Sequence, residues 1–430
     1  MATMNPVSQH TSALPAKRSA LNSRTVLFVE ASSGGIVGGS LTGLLAQIKG
    51  MNGDWRPVMA LYERKPVEAD LNRDGVRVFH VDRWRVPKEH ALQGSDAYRR
   101  VRRLGPLRSA LHLGRQSLRT VAEELPAALR LARIIRAERA DVVHLGNGIR
   151  ANFDGVLACW LTRTPCVVHV KGFEKYSNRE RWASRRIDAV VCMTEALRDH
   201  CRSHGICSPR MEVVYDALAI EHFRATRTSE EVRRELGLTD DTVAFGIVGG
   251  IQEWKGQRLV VEAFAQVHAE NPATRCFIIG GVHRAGAAYA RDLEARIAEL
   301  GLGDAVVLTG QRSDIADVMN ALDVVVHAST RPEPFGRVIL EAMLLGRPVI
   351  AAAAGGVPEF VEDGRTGLLF AAGDATSLAA QMRRIAADPA LRQEIGTRAR
   401  VAASERFSLR RHVDAMAALY DSISKREQVQ

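Results

Sequence analysis

Residues Ser329 to Met343 read S-T-R-P-E-P-F-G-R-V-I-L-E-A-M and place two carboxylates, Glu333 and Glu341, on either side of a Phe335-Gly336 turn. Pro332 and Pro334 bias Glu333 away from helix. Val338, Leu340, Leu344 and Leu345 recur at helical spacing from Arg337 onward. Glu333 therefore precedes a helix N-terminus, and Glu341 lies about one turn inside it. Free backbone N–H groups at such a terminus attract an anion such as a phosphate. An ionised carboxylate only accepts hydrogen bonds, so carboxylates flanking that point suit hydroxyl donors. A phosphate site between two hydroxyl-binding acids has the chemistry a nucleotide sugar requires. A surface loop followed by an ordinary amphipathic helix would use the same letters.

The next segment bears on that alternative. Gly346 to Phe370 supplies an apolar strand (Val349 to Ala352), a Gly355-Gly356 turn, Pro358 at the following helix start and Glu359 behind it. The spacing predicts a second strand–glycine–helix phosphate cradle directly after the first.

With these residues in view the chain resembles the retaining glycosyltransferases of family 4, the glycosyl transferases group 1. Ala321 to Ser329 resembles the family's strand leading into the acidic loop, and Gly249-Gly250-Ile251-Gln252-Glu253-Trp254-Lys255-Gly256 resembles its glycine–lysine segment. The resemblance is specific over roughly residues 240 to 410 and weaker before that. It implies an α/β chain of GT-B architecture, two Rossmann-like doubly wound parallel-sheet domains facing a cleft. It implies that Glu341 binds the ribose hydroxyls and Glu333 the donor-sugar hydroxyls. The turn Phe335-Gly336-Arg337-Val338 and Lys255 would hold the diphosphate, with Gly249 beside them and Gly38 and Gly39 across the cleft. No metal and no cofactor are implied.

Three positions depart from the family pattern. Lys171 stands where most relatives have a histidine that touches the donor sugar. Lys171, nearer the strand end, is the preferred replacement, and His169, two residues earlier on the same strand face, is the alternative that otherwise reads as a core histidine. Gly250 occupies the place of a phosphate-binding arginine, for which Arg258 or Arg337 would compensate. Asp216 replaces the usual asparagine.

The elements that must position these groups alternate strand and helix in two successive runs, which predicts two doubly wound sheets. The first opens with Thr25 to Glu30, followed by the loop Ala31 to Gly39 with four glycines and a helix from Ser40. That loop is not the dinucleotide fingerprint, but glycine lets backbone approach a ligand closely. Strands at Val58 to Tyr62, Val76 to His80, Asp141 to Leu145, Val167 to Lys171, Ala189 to Met193 and Met211 to Asp216 complete the first domain, residues 23–220. Residues 1–22 carry no apolar signal-peptide core and read as a disordered leader. The second domain spans 221–408, and an amphipathic helix at 409–423 returns to the first.

At 430 residues, 46% apolar and 25% charged, the chain suits two full cores. No apolar run approaches the ~18 residues of a membrane span, which points to a cytoplasmic enzyme. Six cysteines at irregular spacing suit a reducing compartment. The group Cys192, His200, Cys201, His204 and Cys207 fits none of the usual zinc spacings. The net charge of +10 is concentrated between Arg83 and Arg119, where ten basic residues meet two acids and leucines interleave. Three readings stand: a solvated loop, a nucleic-acid surface (for which aromatics and a module are lacking), or a surface for anionic lipid headgroups that keeps the protein peripheral on a membrane. The sequence reading is a metal-independent transferase moving a sugar from a nucleotide diphosphate to a saccharide or lipid-linked acceptor, with a nucleotide-sugar epimerase or a non-catalytic sensor as alternatives.

Overall fold

The structure, a computed structural model, describes residues 23–31, 39–51, 53–83, 120–217, 223–282 and 286–424. The expected leader, Gly38, and the basic segment beyond Arg83 lie outside the described residues.

Apolar runs bounded by glycine and charge form two parallel sheets. The first comprises β1 (Arg24–Glu30), β2 (Trp55–Leu61), β3 (Arg77–His80), β4 (Val142–Leu145), β5 (Cys166–Val170), β6 (Ala189–Cys192) and β7 (Met211–Val213), in the order β3-β2-β1-β4-β5-β6-β7. The second comprises β8 (Val243–Val248), β9 (Thr274–Ile279), β10 (Val306–Gly310), β11 (Val324–His327), β12 (Val349–Ala352) and β13 (Leu368–Phe370), ordered β10-β9-β8-β11-β12-β13. The doubly wound architecture read from the sequence is the one observed. Helices cover both faces, so strand residues such as Val26 to Val29 and Val324 to Val326 are buried regardless of which face they point to. In each sheet the order reverses beside the first strand, at β1/β4 and β8/β11. Ligand crevices form outside the carboxyl ends of strands at such switch points.

The helix Leu409–Ser424 returns to the first domain. Its Met416, Leu419 and Tyr420 are buried with Val26, Phe28, Leu41 and Leu44, and Gln47 Nε2 donates to the Tyr420 hydroxyl at 2.8 Å. The second domain opens with a Thr228 capping box at the helix Ser229–Glu235.

Candidate functional site

β11 ends at His327, and the loop after it carries Glu333 to a cleft cavity of about 360 Å³ that His327 also lines, with Ser329 buried behind. Lys171, Met193 and Asp216 line this cavity from the first domain. Lys255, Glu333 and the Phe335–Val338 turn line it from the second. The helix Arg337–Leu344 begins at Gly336, without a side-chain cap, and Gly336, Arg337 and Val338 line the cavity.

Glu333 is held by three donors that converge on one oxygen, Oε2. Ser329 Oγ lies at 3.0 Å, His327 Nε2 at 3.2 Å and Lys255 Nζ at 3.2 Å. Burial works to raise the Glu333 pKa, but the His327 hydrogen bond and the Lys255 charge outweigh it and bring it down to about 2. Glu333 is therefore a fixed anion. Lys255 Nζ also lies 4.0 Å from the centre of the Trp254 ring, which restrains the ammonium from below. Glu341 stands in a different environment one turn along the helix. There burial dominates and pushes its carboxyl up to about 7, with Arg337 pulling the other way.

The first-domain wall is built on close approach. A Cβ at Gly43 would meet Asp216 Oδ1 at 2.9 Å and Lys171 Nζ at 3.4 Å, so the carboxylate and the ammonium share the space that glycine leaves. Arg337 reaches across the cleft to Asp216, Nη1 to Oδ2 at 3.9 Å. The cavity is thus bounded by charges of both signs, with Lys171, Arg337 and Lys255 against Asp216 and Glu333.

Several sequence expectations resolve differently. His169 is 1% exposed, both its ring nitrogens lack partners, and it packs between His144 and His412 with ring centroids at 5.5 and 6.3 Å. Burial, then the Lys171 charge, holds its pKa well below the ordinary imidazole value. It does not line the cavity, and Lys171 does. Arg258 is turned to Glu262 at 3.0 Å on the helix surface, away from the cavity, so Arg337 is the arginine that reaches it. Gly249 and Gly250 close the turn after β8, where the Gly250 carbonyl accepts from Gln257 Nε2 at 3.0 Å. Gly39 starts the helix Gly39–Gly50.

The second phosphate cradle is a correction. The segment after Gly355-Gly356 is a single 3-10 turn, Val357–Glu359, and the Gly356 N–H already donates to the Glu333 carbonyl at 2.9 Å. A Cβ at Gly356 would lie 2.4 Å from Thr194 Cγ2 and 2.7 Å from the Pro334 carbonyl oxygen, so the turn is filled by protein. Cys192 and Cys201 are buried with sulfurs 4.0 Å apart, and His200 is bonded to the Glu174 carbonyl. The described residues hold no cluster of metal-ligating groups. Sequence reasoning did not single out His327 and Ser329 as partners of Glu333. Their spacing of two at a strand end, one face of an extended chain, was the available signal.

Residues 71–221 match the model of glycosyltransferase family 4, and residues 228–402 match that of glycosyl transferases group 1. The chain belongs to this family. The D-inositol 3-phosphate glycosyltransferase of Stackebrandtia nassauensis is 37% identical over 201 residues, 45% of this chain and 45% of its own. The lipopolysaccharide core biosynthesis mannosyltransferase LpcC of Rhizobium leguminosarum is 27% identical over 300 residues, 69% of this chain and 80% of its own. The chain spans about half the length of the first curated relatives it matches. Among solved structures, Anabaena HepE in complex with UDP is 25% identical with a TM-score of 0.75, covering 93% of this chain and all of that one. The same protein with UDP-glucose is 26% identical with a TM-score of 0.72, covering 93% of this chain and 99% of that one.

Proposed function

We propose that this family-4 chain transfers a sugar from a nucleotide-diphosphate donor to a saccharide or lipid-linked acceptor, with retention of anomeric configuration and without a metal. The observation that carries the reading is the contrast between two carboxylates on one helix–loop unit. Glu333 is locked as an anion near pKa 2 and Glu341 sits near 7, on either side of an uncapped helix start. Glu333 accepts hydroxyls of the donor sugar and Glu341 those of the ribose. The diphosphate lies against the N–H groups of Gly336 to Val338, with Lys255 and Arg337 as counter-charges. Fixed donors of this kind stabilise charge as it develops on a leaving group. The bond from the sugar's anomeric carbon to the phosphate oxygen breaks while the acceptor oxygen attacks from the same face. The acceptor proton passes to the departing phosphate oxygen. Lys171 contacts the donor sugar from the first-domain wall.

UDP and UDP-glucose in Anabaena HepE support a uridine diphosphate sugar as donor. The inositol-phosphate and lipopolysaccharide-core relatives support a polar or envelope-linked acceptor. Among the described residues no helix is long and apolar enough to cross a membrane. Arg83 to Arg119 would hold the enzyme peripherally on the cytoplasmic face of an anionic membrane. The test is a thermal-shift panel over nucleotide sugars, followed by proton NMR of the product. An α-linked product from an α-linked donor is expected, and an inverted product would refute the mechanism. A C2-epimerised free sugar would favour the epimerase, and binding without donor breakdown the sensor.

A further inference from the structure

The N-terminus of the first-domain helix Glu195–Ser203 is satisfied from the other domain. Its Glu195 N–H donates to Glu359 Oε2 at 2.8 Å and its Ala196 N–H to Glu359 Oε1 at 2.7 Å. The third N–H, of Leu197, goes to the helix's own Thr194 Oγ1 at 3.3 Å. A carboxylate facing two otherwise orphaned N–H groups and the positive end of a helix dipole is a strong pairing. Tyr215, at the point where the chain leaves the first domain, adds its hydroxyl to Glu359 Oε2 at 3.1 Å.

This contact continues into the cavity wall. Thr194 Oγ1 donates to the Pro334 carbonyl at 3.0 Å, across the domain boundary and one residue from Glu333. Gly356 is wedged between that carbonyl and Thr194 and holds the Glu333 carbonyl through its own N–H. Met193, next to Thr194, lines the cavity from the opposite side. A single patch therefore ties the acidic loop of one domain to the strand end and helix start of the other.

We propose that Glu359 is a positioning residue: by capping the Glu195–Ser203 helix across the boundary, it fixes the pivot of the cleft and so the distance between Glu333 and Lys171. It touches no substrate. The nucleotide-binding parts, Glu341 and the Gly336 helix start, lie within one domain and do not depend on this cap. Its loss therefore separates turnover from nucleotide affinity. The activity arm rests on the transfer reading above; an exchange arm stands without it.

The experiment compares the parent with Glu359→Ala, Glu359→Gln and Tyr215→Phe. Hydrogen exchange of the 194–197 amides is followed by mass spectrometry, nucleotide affinity by calorimetry, and kcat by donor consumption with and without acceptor. In Glu359→Ala the amides should lose protection and kcat should fall at least about tenfold, while nucleotide Kd stays within about twofold. Glu359→Gln, which keeps one acceptor oxygen, should be intermediate, and Tyr215→Phe milder still. If the alanine variant does not fold, the graded order of the other two decides. Lost protection with unchanged kcat would reduce Glu359 to a structural cap and overturn the proposal. So would a nucleotide Kd that weakens as much as kcat falls, since that would put the residue's effect in the donor pocket. A protein without any transferase activity but with lost protection would refute the transfer reading and the positioning role, and leave only the cap.

Discussion

Glu341 offers the most direct test of the donor site, because its carboxyl lies near pKa 7 instead of 4.5. Ribose hydroxyls need the ionised form as acceptor for a charge-assisted bond. With that pKa about nine-tenths is ionised at pH 8 and about one-tenth at pH 6. The Kd for a nucleotide sugar should therefore rise about tenfold from pH 8 to pH 6, equivalent to about 1.4 kcal/mol. Glu341→Gln removes the titration and should flatten the profile. At pH 8 it should bind about ten- to a hundredfold more weakly, the loss of a bond of about 1.5–3 kcal/mol. Calorimetry with an intact nucleotide sugar is the suitable assay, since its bridging diphosphate does not titrate in this range. Stability should move the other way. The folded state holds this proton more tightly than the unfolded chain, so the contribution is fully present below pH 4.5 and is lost as pH rises through 7. It amounts to about 3 kcal/mol and is readable as a difference in urea unfolding between parent and Glu341→Gln. Equal pH slopes in the two proteins, for binding and for unfolding, would refute the assignment.

Lys255→Ala should release Glu333 from one of its three donors and remove a phosphate counter-charge. The loss of a charge-assisted bond predicts kcat/KM lower by about ten- to a hundredfold in steady-state kinetics. Gly43→Ala should place a methyl group against Asp216 and Lys171. Helix propensity favours alanine by about 1 kcal/mol, so unfolding should change little while turnover drops, and unchanged turnover would show that the two side chains yield freely. Activity should survive EDTA; a loss restored by Mg²⁺ would count against the site. Neutralising Arg99, Arg100, Arg102 and Arg103 together should lower co-sedimentation with anionic vesicles at low salt, each charge contributing about 1 kcal/mol, and leave nucleotide binding unchanged.

What was legible in the sequence was local. The glycine turns, the proline-flanked Glu333 and the apolar strands are patterns within a dozen residues, and backbone preference fixes them where they stand. The two sheets followed from alternation, since parallel strands require crossovers. Arg258 misled because distance along the chain does not tell which side of a helix faces a cleft; Glu262, four residues on, claims it. Glu359 misled for the opposite reason. Its glycines and proline look like a ligand loop, and its actual partners lie 163 and 164 residues away, at the start of a helix in the other domain. A contact at that range leaves no periodic trace. The burial of His169 agrees with its reading as a core histidine, but that neither ring nitrogen has a partner left no trace in the sequence.

The returning helix bears on the order in which the protein can be built. The first sheet lacks part of its cover until Leu409–Ser424 arrives, and Gln47 waits for a partner 373 residues downstream. During synthesis the second domain, whose strands all lie between Val243 and Phe370, has its full sequence available first. The domain that begins the chain is the one that finishes last. A fragment ending at residue 408 would leave Phe28, Leu41 and Leu44 without the cover of Met416, Leu419 and Tyr420. Truncation at the C-terminus thus damages the N-terminal half, and expression of that half alone requires the last helix to be supplied, fused or in trans.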